Sequence, residues 1–371
     1  MESRSVSNIT VVVKRGLTRP LLTSLAAAGI VDYNIGPARI IILQEKRKGL
    51  GLVRPFMLME EQGDILSFMV DPPQEEAALN SIIQQAELNI PGRGSVFSEQ
   101  ATVFASPGLF PENHLPLSTD QSIRKRSRLT GICCIVQRGQ ANQVARVALD
   151  TGSCVPVISF GIGTGIRDKL GLLRIAIPAE KEIIHLAVST FDSDTVMKMM
   201  VNAGNLDRPG KGFIFTYPIS RGLVDTKITH GITRHVASIE QIIATLDELK
   251  GDTGWRKRSA QTIIMQNERY LLHDLSDLTL ICNEGRAQDL VKAAMRAGAG
   301  GATISRMRYQ GSSDPANKSI SAAREACNMA VDKSKVDSIL NALEDAGAFD
   351  EKTCGRILVR PIPKAFTYTS K

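Results

Sequence analysis

The sequence predicts an α+β chain in which one β-α-β-β-α-β plan is written three times. Two observations carry that expectation. The starts VVVKRGLTRPLLTSLAAAG (11–29), CIVQRGQANQVARVALDTG (134–152) and LICNEGRAQDLVKAAMRAG (280–298) each place a first glycine (16, 139, 285) thirteen residues before a last one (29, 152, 298). Each start is then followed by the same succession: strand, polar loop, strand, amphipathic helix, glycine-bearing loop, strand.

Taken in order, each start reads as a short apolar strand, a turn glycine, three turns of helix and a glycine just past the helix end. Leu21, Leu22 and Leu25 form the apolar stripe of the first helix, Val144, Val147 and Ala148 of the second copy's, and Leu290, Val291 and Ala294 of the third's. Pro20 is expected in a first turn, where its missing N–H costs little. The next strands are ARIIIL (38–43), VPVISF (155–160) and ATISRM (302–307), and after a polar loop come DILSFMV (64–70), EIIHLAV (182–188) and EACNMAV (325–331). The second helices carry Leu79, Ile82, Ile83 and Ala86, then Val196, Met197, Met200 and Val201, then Val336, Ile339, Leu340 and Leu343. The closing loops PGRG (91–94), PGKG (209–212) and TCGR (353–356) each enter a last strand.

This order defines the ferredoxin-like arrangement, an antiparallel four-stranded sheet with both helices on one face, and the right-handed crossover rule leaves few other windings. Three such domains are expected at 1–104, 129–219 and 276–371. Between them lie a basic linker, 105–128, and a longer segment, 220–275, with a further helix expected at SIEQIIATLDELKG (238–251).

Apolar residues make up 43% and charged residues 22% of the chain, the balance of a globular protein with a buried core. No apolar run approaches the ~18 residues of a membrane span, and no signal peptide is read at the start, so a cytoplasmic protein is expected. Six cysteines (133, 134, 154, 282, 327, 354) form no Cys-x-x-Cys pair and read as reduced, mostly buried thiols. The net charge is +7, and the seven cations of SIRKRSR (122–128) and WRKR (255–258) equal that excess, so a basic face spread over a domain is not indicated. Both clusters read first as solvated linker and second as a clamp on RNA, phosphate or a membrane surface.

The segment Gly161-Ile-Gly163-Thr-Gly165 is open to three readings: a loop base, a flexible turn, or a dinucleotide fingerprint that lacks its helix and acidic partner. For PGRG and PGKG, a tight turn into a strand and contact with a ligand stand about even. Histidines 114, 185, 230, 235 and 273 are scattered, and neither Gly-x-Ser-x-Gly, His-Glu-x-x-His nor a full phosphate loop occurs. A non-catalytic protein is therefore expected.

The third copy, LVKAAMRAGAGGATISRMRYQG, resembles the first helix and second strand of PII-type nitrogen regulatory proteins. SFGIGTG and RPGKGFIFTYPISRG in the second copy look like that family's T-loop base, its glycine-bearing B-loop and its last strand. The resemblance covers three stretches of about a hundred residues and implies a PII-like pseudo-trimer, one chain supplying what are three subunits in the family. It further implies ATP or ADP as effector in clefts between neighbours, no required cofactor, and a protein target (transporter, enzyme or regulator) engaged through loops. Nucleic acid is not an expected partner, and the chain is expected to be monomeric.

Residue by residue, the resemblance assigns Thr303 to the nucleotide and places Arg308 and Gly311, with Gly161, Gly163 and Thr164, at T-loop bases. It assigns Gly92, Arg93 and Gly94, Gly210, Lys211 and Gly212, and Gly355 and Arg356 to the phosphate-lining loops, where a glycine lets backbone N–H groups approach an anion. Arg356 keeps the basic residue that follows the glycines in the family, whereas Ser95 and Phe213 replace it. The first copy has LQEKRKG (43–49) where Gly-x-Gly is expected, so at most two working clefts are expected, involving copies two and three. The remaining readings are a structural pseudo-trimer that has lost its ligand and an RNA-binding protein.

Overall fold

In a computed structural model, which describes residues 1–45, 56–110, 127–165, 179–230, 271–311 and 319–368, the apolar runs of all three copies form strands. The chain is α+β, with six α-helices against a large, mainly antiparallel sheet among the described residues. The first copy contains β1 (Glu2–Lys14), α1 (Arg15–Ala27), β2 (Tyr33–Glu45), β3 (Phe56–Val70), α2 (Glu75–Gln85) and β4 (Gly94–Ala105). The second contains β5 (Leu129–Gln137), α3 (Ala141–Asp150), β6 (Val157–Gly165), β7 (Glu180–Ser189), α4 (Ser193–Gly204) and β8 (Gly212–Ile219), followed by the short β9 (Arg221–Leu223) and β10 (Thr229–His230). The third contains β11 (Leu275–Asn283), α5 (Ala287–Arg296), β12 (Gly301–Gln310), β13 (Ala323–Asp332), α6 (Val336–Asp345), β14 (Arg356–Ile362) and the short β15 (Ala365–Thr367). In every copy the strands lie in the order second, third, first, fourth.

The turns into the helices show why the plan recurs. Gly139 and Gly285 take φ of 85° and 84°, a region that a side chain resists. The N–H groups that follow are gathered by a carboxylate from the neighbouring strand. Glu182 accepts from Gly139 and Ala141 at 2.8 and 3.0 Å, and Glu325 from Gly285 and Ala287 at 2.9 and 3.1 Å. Both helix starts are thus capped from β7 or β13, which ties local helix formation to sheet pairing.

The first copy departs. α1 begins at Arg15, so Gly16 is helical rather than a turn, and Asp64 accepts instead from the Thr18 hydroxyl at 2.7 Å. Pro20 consequently lies in the helix interior, not the first turn, and its missing N–H leaves the Gly16 carbonyl without its usual helical donor. The helix ends are as expected, with Gly29, Gly152 and Gly298 at φ of 86°, 67° and 116°.

One face of each sheet packs on its two helices. Ile9, Val11 and Val13 meet Leu21, Leu25 and Ile82 in the first copy, and the same alternation recurs in the other two. The other faces are turned inward, and strands from different copies pair along the seams. β12 pairs with β6 (Thr303 opposite Gly163) and with β2 (Arg308 opposite Ile35), and β2 also pairs with β6 (Arg39 opposite Ile158). At the opposite strand ends β14 pairs with β4, β9 adds to β4, and β15 adds to β8. Each copy therefore hydrogen-bonds to both others, and the chain closes on itself. Residues 220–230, expected to be linker, are built into the first copy's surface through β9 and through β10, which runs parallel to β2.

Where the inward faces meet, three register-equivalent positions carry different chemistry. Glu99 lies opposite Asn8, Tyr217 opposite Gly131, and Arg360 opposite Asp277. Arg360 donates to Asp277 from Nε at 2.8 Å, pairs with Glu99, and lies 3.9 Å from the centre of the Tyr217 ring. Gly131 is required there, because a Cβ would fall 2.1 Å from that ring. Beside this cluster, between the three copies, is a cavity of about 190 Å³, with Asn8, Thr279, His185 and Asn328 among its walls.

All six cysteines are buried and unbridged, as expected. Cys133 and Cys134 face opposite sides of β5 and are both enclosed, and burial pushes both thiols up. We expect a thiol reagent to label none of the six in the native chain and all six once urea has unfolded it. Rapid native labelling of Cys133 or Cys134 would contradict the packing of β5. The helix expected at 238–251 and the WRKR cluster lie outside the described residues, as does SIRKRSR up to residue 126. Arg128 is described, with its guanidinium 5.8 Å from the Phe191 ring.

Candidate functional site

The glycine loop of the first copy opens onto a cleft. Gly92 and Gly94 take φ of 92° and 145°, and a Cβ on Gly94 would fall 2.1 Å from the Val12 carbonyl oxygen, so the loop can turn tightly beside β1 only with glycine. The cleft is about 150 Å³ and is walled by this loop, Lys14 of β1, Val155 and Val157 of the second copy, and Asp225 and Lys227 beyond β9.

Its polar groups converge on an internal carboxylate. The Gly92 N–H donates to Asp225 Oδ1 at 3.0 Å, and the Lys227 N–H donates to the same oxygen at 2.8 Å. Asp225 in turn donates its own N–H to Ser95 Oγ at 2.8 Å. Burial raises the pKa of the Asp225 carboxyl, opposed by the two N–H groups and by the charges of Lys14 and Lys227. Arg93, expected on the ligand, is spent elsewhere. Its Nε donates to the Ala86 carbonyl at the end of α2 at 2.9 Å, and the guanidinium pairs with Glu87 at 3.2 Å.

The seam between the third and first copies is sealed. Arg356 was expected to face phosphate, but it is 2% exposed and forms a double hydrogen bond with Asp32 of the first copy at 2.8 and 2.6 Å. Gly355 does not present its N–H to a ligand either. That group donates to the Ala348 carbonyl at 2.9 Å, and a Cβ would fall 2.1 Å from the same oxygen. Arg324 is buried alongside, held by Asn283 Oδ1 at 2.6 Å and the Cys354 carbonyl at 2.7 Å. Burial, then the neighbouring charge of Arg356, pulls Arg324 down to about 10.

At the seam between the second and third copies, the expected loop base is strand. Gly161, Gly163 and Thr164 belong to β6, and Gly163 and Thr164 pair with Thr303 and Ala302 of β12. The glycines allow close approach of two strands, since a Cβ on Gly161 would meet the Thr303 methyl at 2.6 Å. Thr303 is 6% exposed and enclosed in this pairing rather than turned to a ligand. Arg308 is exposed on β12 next to the first copy, and Gly311 follows the strand's end.

In the PGKG loop, Gly210 has φ of 70° and its carbonyl accepts from Gln137 Nε2 at 3.0 Å. The Gly212 carbonyl accepts from the Thr367 hydroxyl at 2.8 Å, and a Cβ there would fall 2.4 Å from the Ile135 carbonyl oxygen. Lys211 is half-buried between them.

This cleft joins copies one and two, whereas the sequence pointed to copies two and three. Sequence reasoning found its loop and missed Asp225, Lys227 and Lys14. The available signal was Asp225-Thr-Lys227, an acid and a base immediately after the last strand of the second copy. Among the described residues no group of three or more His, Cys, Asp or Glu side chains is placed to hold a metal ion, and no helix is long and apolar enough to cross a membrane. No protein-family model matches the chain, and no curated protein matches it.

Proposed function

We propose that this chain is a non-catalytic regulatory protein, three ferredoxin-like domains closed into a PII-like pseudo-trimer, with one effector cleft between its first and second copies. The observation that carries the reading is the Gly92 N–H holding a carboxylate at the mouth of a glycine loop that enters a last strand. That loop recurs in all three copies, yet a cleft bounded by loop, lysines and a neighbouring copy accompanies the first. An anionic effector with different affinities for two arrangements of this seam would supply the switch, and surface loops would engage a protein target.

The cleft's volume is about half the ~300 Å³ at which pockets for drug-sized ligands begin, so it accommodates the phosphate end of an adenine nucleotide and not the whole molecule without opening. Calorimetry with ATP, ADP and cyclic nucleotides tests the reading. Binding of one nucleotide per chain, weakened when Lys14 and Lys227 are both replaced by Met, is the expected result. No binding of any nucleotide would remove the sensor role.

A second reading, a structural pseudo-trimer that has lost its ligand, is favoured by the Arg356–Asp32 pair, which fills the seam where a basic residue was expected to meet phosphate. RNA binding has less support, because the sheet faces on which bases would stack are turned against one another. Light scattering should return the mass of a single chain, and a mass three times larger would mean that copies pair between chains.

A further inference from the structure

We propose that Asp225 is an internal plug: its carboxylate occupies the anion site of the glycine loop, and a compact phosphate- or diphosphate-bearing molecule enters the cleft only by displacing it. The inference rests on the reading of this seam as an effector cleft, and it adds that the site is autoinhibited.

Three features point to a held anion and not merely to a turn. The Lys227 N–H closes a local turn onto Asp225 Oδ1, and the Gly92 N–H, 133 positions away, donates to the same oxygen, which that turn does not need. Lys14 and Lys227 line the same cleft, and with Lys14 paired to Glu61 at 2.6 Å the charges there balance while Asp225 is in place, so an anion that displaces Asp225 meets the charge of Lys227 that Asp225 had balanced. The cleft continues past the carboxylate into space for several water molecules, where a larger anion could extend. The plug is tethered by β9, whose pairing with β4 (Leu223 opposite Val96) ends one residue before Val224, so release of Asp225 would act directly on the contact between the second copy's tail and the first copy. A diphosphate offers more charge to the same N–H groups and lysines than a single carboxylate does, and charge-assisted bonds of this kind are the stronger ones.

The test uses pyrophosphate as the probe, titrated into the full chain by calorimetry and followed by the amide resonances of Gly92 and Lys227. Wild type should bind weakly. Asp225→Ala should bind at least roughly tenfold more tightly, the scale of one charge-assisted hydrogen bond. Asp225→Asn, which keeps the shape and removes the charge, should fall between the two, and it serves if the alanine variant does not fold. The gain should vanish when Lys14 and Lys227 are also replaced by Met. Unchanged affinity in both Asp225 variants would overturn the plug, as would a gain that survives loss of both lysines. The two ideas fail separately: wild type binding ADP tightly with no effect of Asp225 leaves the sensor without a plug, whereas a pyrophosphate gain without nucleotide binding by any form leaves a plugged anion site that is not a nucleotide sensor.

Discussion

Arg360→Ala is expected to destabilise the chain by about 3–5 kcal/mol, because it strands two buried carboxylates at once. Glu99 is 3% exposed and Asp277 1%, and Arg360 is the cation paired with both. Urea unfolding followed by circular dichroism measures the loss, and its pH dependence identifies the cause. Burial pushes the Asp277 carboxyl up to about 7, and removing the guanidinium 2.7 Å from it takes away a charge that favours its ionised form. Without Arg360 only the upward push remains. A carboxyl whose pKa is higher folded than unfolded binds its proton more tightly in the folded state. Its contribution to folding is therefore greatest below the ordinary carboxylate range and is lost as pH rises from about 4 toward 7. The variant should accordingly be closer to wild type at pH 5 than at pH 8. Replacing Glu99, Asp277 and Arg360 together by Leu should recover much of the stability, since a well-packed apolar cluster can stand in for a buried ionic one. A loss from Arg360→Ala no larger than that of a surface substitution, about 0.5 kcal/mol, would show that the cluster does not hold the three copies together.

The cluster also shows what one continuous chain permits. Glu99, Tyr217 and Arg360 hold the same register position in their copies, each opposite the corresponding residue of a first strand. In an assembly of three identical subunits any one of them would meet two copies of itself, and three buried like charges repel. Here an acid, an aromatic ring and a base meet instead, with Gly131 making room for the ring. The same freedom differentiates the seams: an arginine–aspartate pair seals one, strand pairing across Gly163 closes another, and an internal carboxylate occupies the third.

Strands and helices were legible in the sequence because their causes are local. Leu290, Val291 and Ala294 recur at helical spacing, and Gly152 and Gly298 stop helices through a backbone conformation that glycine adopts without strain. The glycines of β6 read as loop in the sequence because glycine serves two purposes under one letter. It allows positive φ in a loop, and it allows two strands to approach, and Gly161, where a Cβ would meet the Thr303 methyl and the Ile304 carbonyl of β12, does the second. α1 was misplaced because Asp64 and Thr18 replace the glycine-and-glutamate turn of the other copies. The site residues were least legible of all, since what decides their role lies far away in the chain. Arg356 and Asp32 are 324 positions apart, and Gly92 and Asp225 are 133. No spacing rule reports whether a cation beside a glycine faces a ligand or an internal carboxylate.

Asp32→Ala is the sharper probe of that distinction. Arg356 is 2% exposed and Asp32 6%, and the pair joins the start of β2 to the start of β14. Removing the carboxylate leaves Arg356 buried without its partner, beside an Arg324 already pulled down by burial and by Arg356's charge. A loss of about 3–5 kcal/mol is expected, as for other broken buried pairs. Arg356→Leu in the same background should return most of it, because the remaining charge goes with the arginine. The damage should also be local. Hydrogen exchange should quicken where β4 and β14 pair, from Ala105 opposite Arg356 to Thr102 opposite Val359, while the β5–β7 pairing of the second copy keeps its protection. If Asp32→Ala were neutral and exchange at β14 unchanged, Arg356 would not depend on Asp32. The argument that this seam is sealed against phosphate would then fail, and the third copy's glycine loop would return as a candidate site.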